Sequence, residues 1–378
     1  VSKGRSPARI LITTDNFPPH VGESVAYVPA VAQALAERGY PVRVVTSVYK
    51  EAAATDAEYP FRVERLNVRH FWHRTVRLFM HMRWARVVFA DGLLAEVSSL
   101  NRLLRRPMVA RVTGDALWEY LTDQGWIDED YATFQRKRYH WRLERARRWR
   151  SQVLSRMRVV LVPCQSMRDL VNGWGVPAGR IQVVPDAFIP VAEVSTSWPG
   201  PETPLRLITV GRLTAWQGVD ELLATLIAWD DVGLLVVGDG PQRATLEQLA
   251  RRLRLEEQVK FVGWPERGVL LGWMRAADLC VLNAHHPGSP SALLEAWAVG
   301  VPVLAAATGG VVDWIEDGFN GRLVPPGDRA ALREAIRALL DDPLLRATLR
   351  SGGQITVRQR AVFATMVDRL AEVIEAVR

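Results

Sequence analysis

The sequence predicts an α/β protein built from two tandem units, each a parallel sheet with helices. Three observations predict it. The chain has 378 residues, enough for two domains. Short aliphatic runs alternate with helix-period stretches, the pattern of a parallel sheet with helical crossovers. The alternation then restarts after residues 190–204, a stretch with four prolines and no periodicity that reads as an interdomain linker.

The first half opens with the apolar run Ile10-Leu11-Ile12 and the loop Phe17-Pro18-Pro19-His20-Val21-Gly22, followed by a helical pattern over 25–38 that Gly39 ends. Strand-like runs follow at 42–46, 86–90, 108–112, 159–162 and 181–184. In the second half, 207–210 reads as a strand, a helix starts near Val219, and 234–237 runs into Gly238-Asp239-Gly240-Pro241. A helix is expected over 242–253, strands over 259–262 and 279–282, and a helix over 290–299. The tail 356–378 is amphipathic, with Val362, Met366, Leu370 and Ile374 at four-residue spacing. The expected divisions are 1–189, the linker 190–204, 205–354 and a terminal helix within 355–378.

Composition excludes several classes. With 48% hydrophobic and 24% charged residues the chain is not a disordered one. No window approaches 18 uninterrupted apolar residues, which argues against a membrane-spanning helix. No apolar segment follows the charges of Val1-Ser2-Lys3-Gly4-Arg5, so a cytoplasmic protein is expected. Cys164 and Cys280 sit in aliphatic runs and read as buried thiols rather than a disulfide or zinc site. Charge is unevenly spread: residues 1–189 carry 29 Lys and Arg against 18 Asp and Glu, the remainder 19 against 23. A basic half fits nucleic acid, an anionic membrane surface or a phosphorylated substrate. Nucleic acid is disfavoured, because no helix-turn-helix, RRM or zinc-finger signature accompanies the charge.

Tandem α/β units place chemistry in the loops at the carboxyl ends of their strands. The loop after 207–210 reads Gly211-Arg212-Leu213-Thr214-Ala215-Trp216-Gln217-Gly218, where Arg212 could grip a diphosphate through paired hydrogen bonds. The plainer reading is a surface arginine beside a turn. A second candidate is Pro287-Gly288-Ser289-Pro290-Ser291-Ala292-Leu293-Leu294-Glu295-Ala296. Ser289 followed by Pro290 reads as an N-cap and a first-turn proline, so the free amides behind them would form an anion site. Glu295 could accept hydroxyl hydrogen bonds from a ribose, or simply be a charge favoured by the helix dipole.

Taken together, Gly211-Arg212-Leu213-x-x-Trp216-x-Gly218, Val236-Val237-Gly238-Asp239-Gly240-Pro241, Val259-x-Phe261-x-Gly263, Ala277-Asp278, Leu293-Leu294-Glu295-Ala296, Gly300-x-Pro302-Val303 and Asp317-Gly318-x-Asn320-Gly321 resemble glycosyltransferase family 4 in order and spacing. The first half resembles it through Phe17-Pro18-Pro19-x-x-Gly22, Gly114-Asp115 and Val183-Val184-Pro185. The resemblance implies a GT-B fold: two Rossmann-like domains with a cleft between them and a last helix returning to the first. It implies a nucleotide-sugar donor bound mainly by the second domain and a sugar or lipid-linked acceptor bound mainly by the first. It further implies transfer with retention of configuration, without a cofactor or metal ion, the leaving phosphate itself taking the acceptor proton. Carried onto this chain, the catalytic candidates are Arg212 and Asp115. The donor-binding candidates are Gly22, Glu23, Gly211, Gln217, His286, Gly288, Ser291, Leu293, Leu294 and Glu295. For Asp115, which would orient a sugar, the plainer reading is an N-cap.

The chain departs from the family pattern where the diphosphate should sit. Glu23 replaces a glycine, Gln217 replaces a lysine, and Pro287 replaces the first carboxylate of a Glu-x7-Glu pair that ends at Glu295. His285 and His286 either replace the missing contacts or form an exposed loop pair. His70 and His73 have no further ligand cluster to support a metal.

Residues 136–158 hold ten basic residues against one acid, Glu144, with Tyr139, Leu143, Ala146, Val153 and Met157 at helical spacing. Phe71, Trp72, Phe79, Met80, Met82 and Trp84 mix with Arg74, Arg77 and Arg83 over 71–84. Aromatics among arginines suit peripheral attachment to an anionic membrane, and an arginine-rich solvated face is the plainer alternative. The expected function is a retaining, metal-independent glycosyltransferase acting on a lipid-linked or cell-surface polysaccharide precursor. The alternatives are a non-catalytic subunit of the same fold that has lost donor chemistry, and a nucleotide-sugar epimerase.

Overall fold

The structure, a computed structural model, describes residues 6–19, 23–48, 56–127, 129–192, 194–285 and 288–378, with the backbone alone for residues 23 and 24. Its contacts divide the chain into two compact units: Val1–Thr113 with Tyr139–Pro185 and Phe363–Arg378, and Gly114–Arg138 with Asp186–Val362. Residues 114–138 therefore group with the second unit, whereas the sequence reading put them in the first.

The first unit is a parallel sheet of seven strands: β1 (Ile10–Thr14), β2 (Val42–Val48), β3 (Arg62–Asn67), β4 (Val87–Ala90), β5 (Met108–Arg111), β6 (Val159–Val162) and β7 (Ile181–Val183). They lie in the order β3-β2-β1-β4-β5-β6-β7. β1, β4 and β6 are buried along their whole length, as expected for strands covered by helices on both faces. β3 has no aliphatic run to mark it. It pairs only with β2, and its sequence Arg-Val-Glu-Arg-Leu-Asn keeps charge on an edge strand.

The second unit repeats the plan with six parallel strands: β8 (Leu205–Val210), β9 (Val232–Val237), β10 (Val259–Phe261), β11 (Leu279–Leu282), β12 (Val303–Ala306) and β13 (Arg322–Val324). Their order is β10-β9-β8-β11-β12-β13. β12 and β13 carried no strand expectation, one being half alanine and the other three residues long. Cys164 and Cys280 are both buried outside any disulfide, and burial pushes the Cys280 thiol up to about 12.

Residues 190–204 are not a free spacer. Trp273 Nε1 donates to Thr196 Oγ1 at 3.1 Å, and Gly268 and Gly272, one turn apart on helix Arg267–Arg275, admit Val194 and Thr196 against the helix. A Cβ at Gly272 would lie 2.3 Å from Thr196 Cγ2, so the missing side chain is what lets the segment lie down.

The final helix, Phe363–Val377, belongs to the first unit, as expected. Met366, Leu370 and Ile374 are buried on it, while Val362 is exposed because the preceding helix Pro343–Arg360 has already ended. Tyr27 Oη lies 3.8 Å from Met366 Sδ, and Arg38 Nε donates to Asp368 Oδ1 at 2.9 Å.

Candidate functional site

In the second sheet the chain order runs one way from β8 to β10 and the other way from β11 to β13. The switch falls between β8 and β11, and the loops leaving their carboxyl ends frame the crevice where such sheets bind ligands. These loops are closely packed. Gly211 N donates to Val237 O at 3.0 Å, and Gly238, at φ +135°, comes so near that a Cβ there would lie 1.9 Å from Gly211 O. Gly218 is left-handed at φ +65°, and its carbonyl accepts from Asn283 Nδ2 at 3.0 Å. Asn283 Nδ2 also reaches Glu221 Oε2 at 2.9 Å, and the same oxygen lies 3.1 Å from His285 Nε2. Glu221, Asn283 and His285 thus tie the loop after β8 to the loop after β11.

Arg212 stands at the mouth of this loop pair, its side chain 59% exposed. Its guanidinium is engaged by Asp123, with Nη2 to Oδ2 at 2.6 Å. Burial raises the Asp123 carboxyl, and the arginine opposes that rise. The Gln217 amide lies against Gly211, where a Cβ would meet its Nε2 at 2.4 Å. Gln217 therefore sets a neutral, half-buried group beside Gly211.

The helix after β11 is Ser291–Val299, and its N-cap is Pro290. The expected cap by Ser289 is not formed: the Ser289 hydroxyl donates to Asp186 instead. The helix start accordingly has no side-chain cap, which leaves the first-turn amides to be met from outside the helix. Leu293 and Leu294 are fully buried core residues, and Leu294 N donates to Pro290 O at 3.0 Å. Their side chains belong to the core, so a part in donor binding would fall to their backbone. Ser291 and Gly288 are half-buried. Glu295 accepts from Arg267 Nε at 2.6 Å through Oε1, while Arg267 Nη1 donates to Ile189 O at 2.7 Å. One carboxylate oxygen of Glu295 is thus committed to a structural pair.

Asp115 is a helix cap. It is 1% exposed; Oδ1 accepts from Leu117 N and Trp118 N at 3.2 and 3.4 Å, and Oδ2 accepts from Gln135 Nε2 at 2.9 Å. The N-cap expected as the plainer reading is therefore formed. Gly22, His286 and Pro287 lie outside the described residues, as does the Glu23 side chain. Among the described residues no three His, Cys, Asp or Glu side chains gather as metal ligands.

Sequence reasoning missed Asp123, Glu221, Asn283 and Arg267. Asp123 and Arg267 meet their partners from 89 and 28 positions away, separations that leave no periodic signal. Asn283 directly follows β11, so strand-end position was the one clue available.

The first unit carries the aromatic and basic stretches. On helix Phe71–Trp84, Phe71, Trp72, Val76 and Met80 are exposed, Trp72 to 77%. Met82 is core, and Trp84 lies under the guanidinium groups of Arg9 and Arg43, so both leave the expected aromatic face. Over 136–158, helix Trp141–Ser155 exposes Trp141 and Trp149 and buries only its last turn, Val153 and Leu154. Among the described residues no helix is long and apolar enough to cross a membrane.

Residues 22–187 match the model described as "Glycosyl transferase 4-like domain", and residues 192–355 match "Glycosyl transferases group 1". The two lie end to end in the order a two-domain enzyme of this kind requires. The chain belongs to the family 4 glycosyltransferases. Over 162 residues this family 4 chain is 33% identical to the lipopolysaccharide core biosynthesis glycosyltransferase LpsD of Rhizobium meliloti, covering 43% of the chain and 47% of that protein. It is 32% identical over 233 residues to a D-inositol 3-phosphate glycosyltransferase of Xylanimonas cellulosilytica, covering 55% of each. These matches span about half the length of the curated relatives. Its fold is GT-B. Sucrose-phosphate synthase from Thermosynechococcus elongatus superposes with a TM-score of 0.79 at 21% identity, covering 98% of this chain and 99% of that one. Anabaena HepE in complex with UDP-glucose superposes with a TM-score of 0.77 at 20% identity, covering 98% and 100%.

Proposed function

We propose that the protein is a retaining glycosyltransferase that moves a sugar from a nucleoside diphosphate donor to a hydroxyl of a lipid-linked or polysaccharide precursor. The observation that carries this reading is the uncapped start of helix Ser291–Val299 at the same carboxyl edge as Arg212. β8 and β11 are paired neighbours, which supports amides and guanidinium serving one crevice. Both would stabilise the negative charge that grows on the diphosphate as the glycosidic bond breaks.

In this reading Arg212 exchanges Asp123 for the diphosphate, and Gln217 and Gly211 line its path. Glu295 takes a ribose hydroxyl on Oε2, the oxygen Arg267 leaves open. Arg212 and the helix amides meet the diphosphate charge, so the reading calls for no metal. The nucleotide in HepE's complex supports a nucleoside diphosphate as the leaving group. The lipopolysaccharide role in LpsD's name supports an acceptor of the cell-surface class. The exposed aromatics of Phe71–Trp84 and Trp141–Ser155 support peripheral attachment at an anionic leaflet, which would bring the enzyme to a lipid-borne acceptor.

Incubating the protein with radiolabelled UDP-, GDP-, ADP- and dTDP-sugars and a bacterial lipid extract tests the reading. Label should pass from one donor class into the lipid fraction with the anomeric configuration kept. No transfer from any donor, or transfer with inversion, would refute it.

A further inference from the structure

Parallel pairing gathers arginines at the opposite edge of the first sheet. β5 starts two residues after Arg106, β6 directly after Arg158 and β7 directly after Arg180. The registers Val109↔Val159 and Val160↔Ile181 set these three starts side by side, and paired strands lie only about 4.8 Å apart. Arg102 and Arg105, at the end of helix Leu94–Leu104, and Arg156, after helix Trp141–Ser155, join them. The six arginines line a cleft of about 760 Å³, within the range of small-ligand sites.

The cleft is built rather than merely basic. Asn101 grips the turn before β5 from both sides: its Nδ2 donates to Arg106 O at 2.8 Å and its Oδ1 accepts from Arg106 N at 2.7 Å. Arg105 is held left-handed at φ +51°. Arg106 Nη2 donates to Arg83 O and Arg180 Nη1 to Ser155 O, both at 2.8 Å, and Arg156 Nη1 approaches Ser98 Oγ at 3.4 Å. Elsewhere in this unit Arg65, Arg74, Arg77 and Arg111 each pair with a carboxylate. Among the described residues none of the six cleft arginines does.

Six arginines lining one cleft, none paired with a carboxylate among the described residues, concentrate positive charge that an anion would offset. A phosphate carries about two charges near neutral pH, so a single one would leave most of that field unmet. Arginine's planar fork matches phosphoryl oxygens in pairs. We propose that this cleft is a second ligand site, which binds a molecule with at least two phosphoryl groups, either a free polyphosphate or the head group of a bilayer lipid. It lies at the amino ends of β5 to β7, away from the carboxyl edge where such sheets bind substrates, and it stands whether or not the protein transfers sugar.

Titration calorimetry with inorganic tripolyphosphate, and sedimentation with cardiolipin-containing or pure phosphatidylcholine vesicles, tests it on wild type, Arg102→Gln/Arg158→Gln and Arg212→Ala. The two cleft positions are exposed, and a matching melting temperature checks that the variant folds. Tripolyphosphate binding weakened roughly tenfold or more in the double variant and unchanged in Arg212→Ala supports a free polyphosphate. Cardiolipin-dependent sedimentation that the double variant loses, with no tripolyphosphate binding, supports a lipid head group. Lysine at the same two positions should give an intermediate loss, since charge remains and the fork does not. Binding lost in Arg212→Ala but kept in the double variant would place the anion elsewhere and overturn the proposal. So would binding of neither probe, or equal binding by wild type and double variant.

Discussion

Arg212 is held by Asp123, with Nη2 and Oδ2 2.6 Å apart. The cation expected to meet the donor diphosphate therefore has a counter-charge already. Because the arginine is more than half exposed, solvent screens this pair and keeps it weak enough to exchange.

Asp123→Asn should tighten nucleoside diphosphate binding roughly two- to fivefold or more near pH 8, since an ion pair exposed on its arginine side is worth at least what a surface pair is. The acid's folded-state pKa is raised, chiefly by burial. Ionised Asp123 thus costs stability above that pKa, and the cost is recovered as pH falls through it. The affinity gap between wild type and variant should close over the same fall, as wild-type Asp123 protonates and releases Arg212. Calorimetric titrations over a series of falling pH check this, and a gap that widens in acid would contradict it.

Glu295→Ala should raise the nucleotide Kd about tenfold while leaving the single-turnover rate of bound donor nearly unchanged, because a ribose contact binds ground and transition states alike. Its loss also takes the carboxylate partner from Arg267, which keeps the Ile189 carbonyl and the Phe188 ring. Melting curves separate that structural effect from the binding one.

Gly238→Ala should destabilise the second unit by more than about 2 kcal/mol. Its new methyl would lie 1.9 Å from Gly211 O on a backbone at φ +135°. Gly125→Ala is the control: it is left-handed at φ +65° with nothing within 4 Å, so it should cost only about 1 kcal/mol. Chemical denaturation measures both.

Trp72→Ser with Trp149→Ser should reduce binding to phosphatidylglycerol vesicles several-fold, since both indoles are exposed. Wild-type binding should weaken with added salt, which screens exposed charge beyond about 8 Å at physiological strength. Equal sedimentation with neutral and anionic vesicles would contradict peripheral attachment.

The fold was legible because buried parallel strands such as β9, Val-Gly-Leu-Leu-Val-Val, announce themselves as apolar runs. β3 was not, since an edge strand tolerates Arg62, Glu64 and Arg65. At the site, Gly218 and Gly238 were legible because close backbone approach and positive φ demand glycine. Ser289 misled, because its hydroxyl found Asp186, 103 positions away, in place of the local amides. Asp123 was illegible for the same reason: a pairing set by tertiary structure leaves no spacing to read.

Thermal-shift titration of wild type and Arg212→Ala with UDP, GDP, ADP and dTDP is the most direct test of a diphosphate site at the carboxyl edge of the second sheet. One nucleotide should raise the wild-type melting temperature, and the variant should lose most of that shift, through roughly a tenfold to hundredfold loss of affinity. A shift of equal size in Arg212→Ala, or none with any nucleotide, would contradict the account.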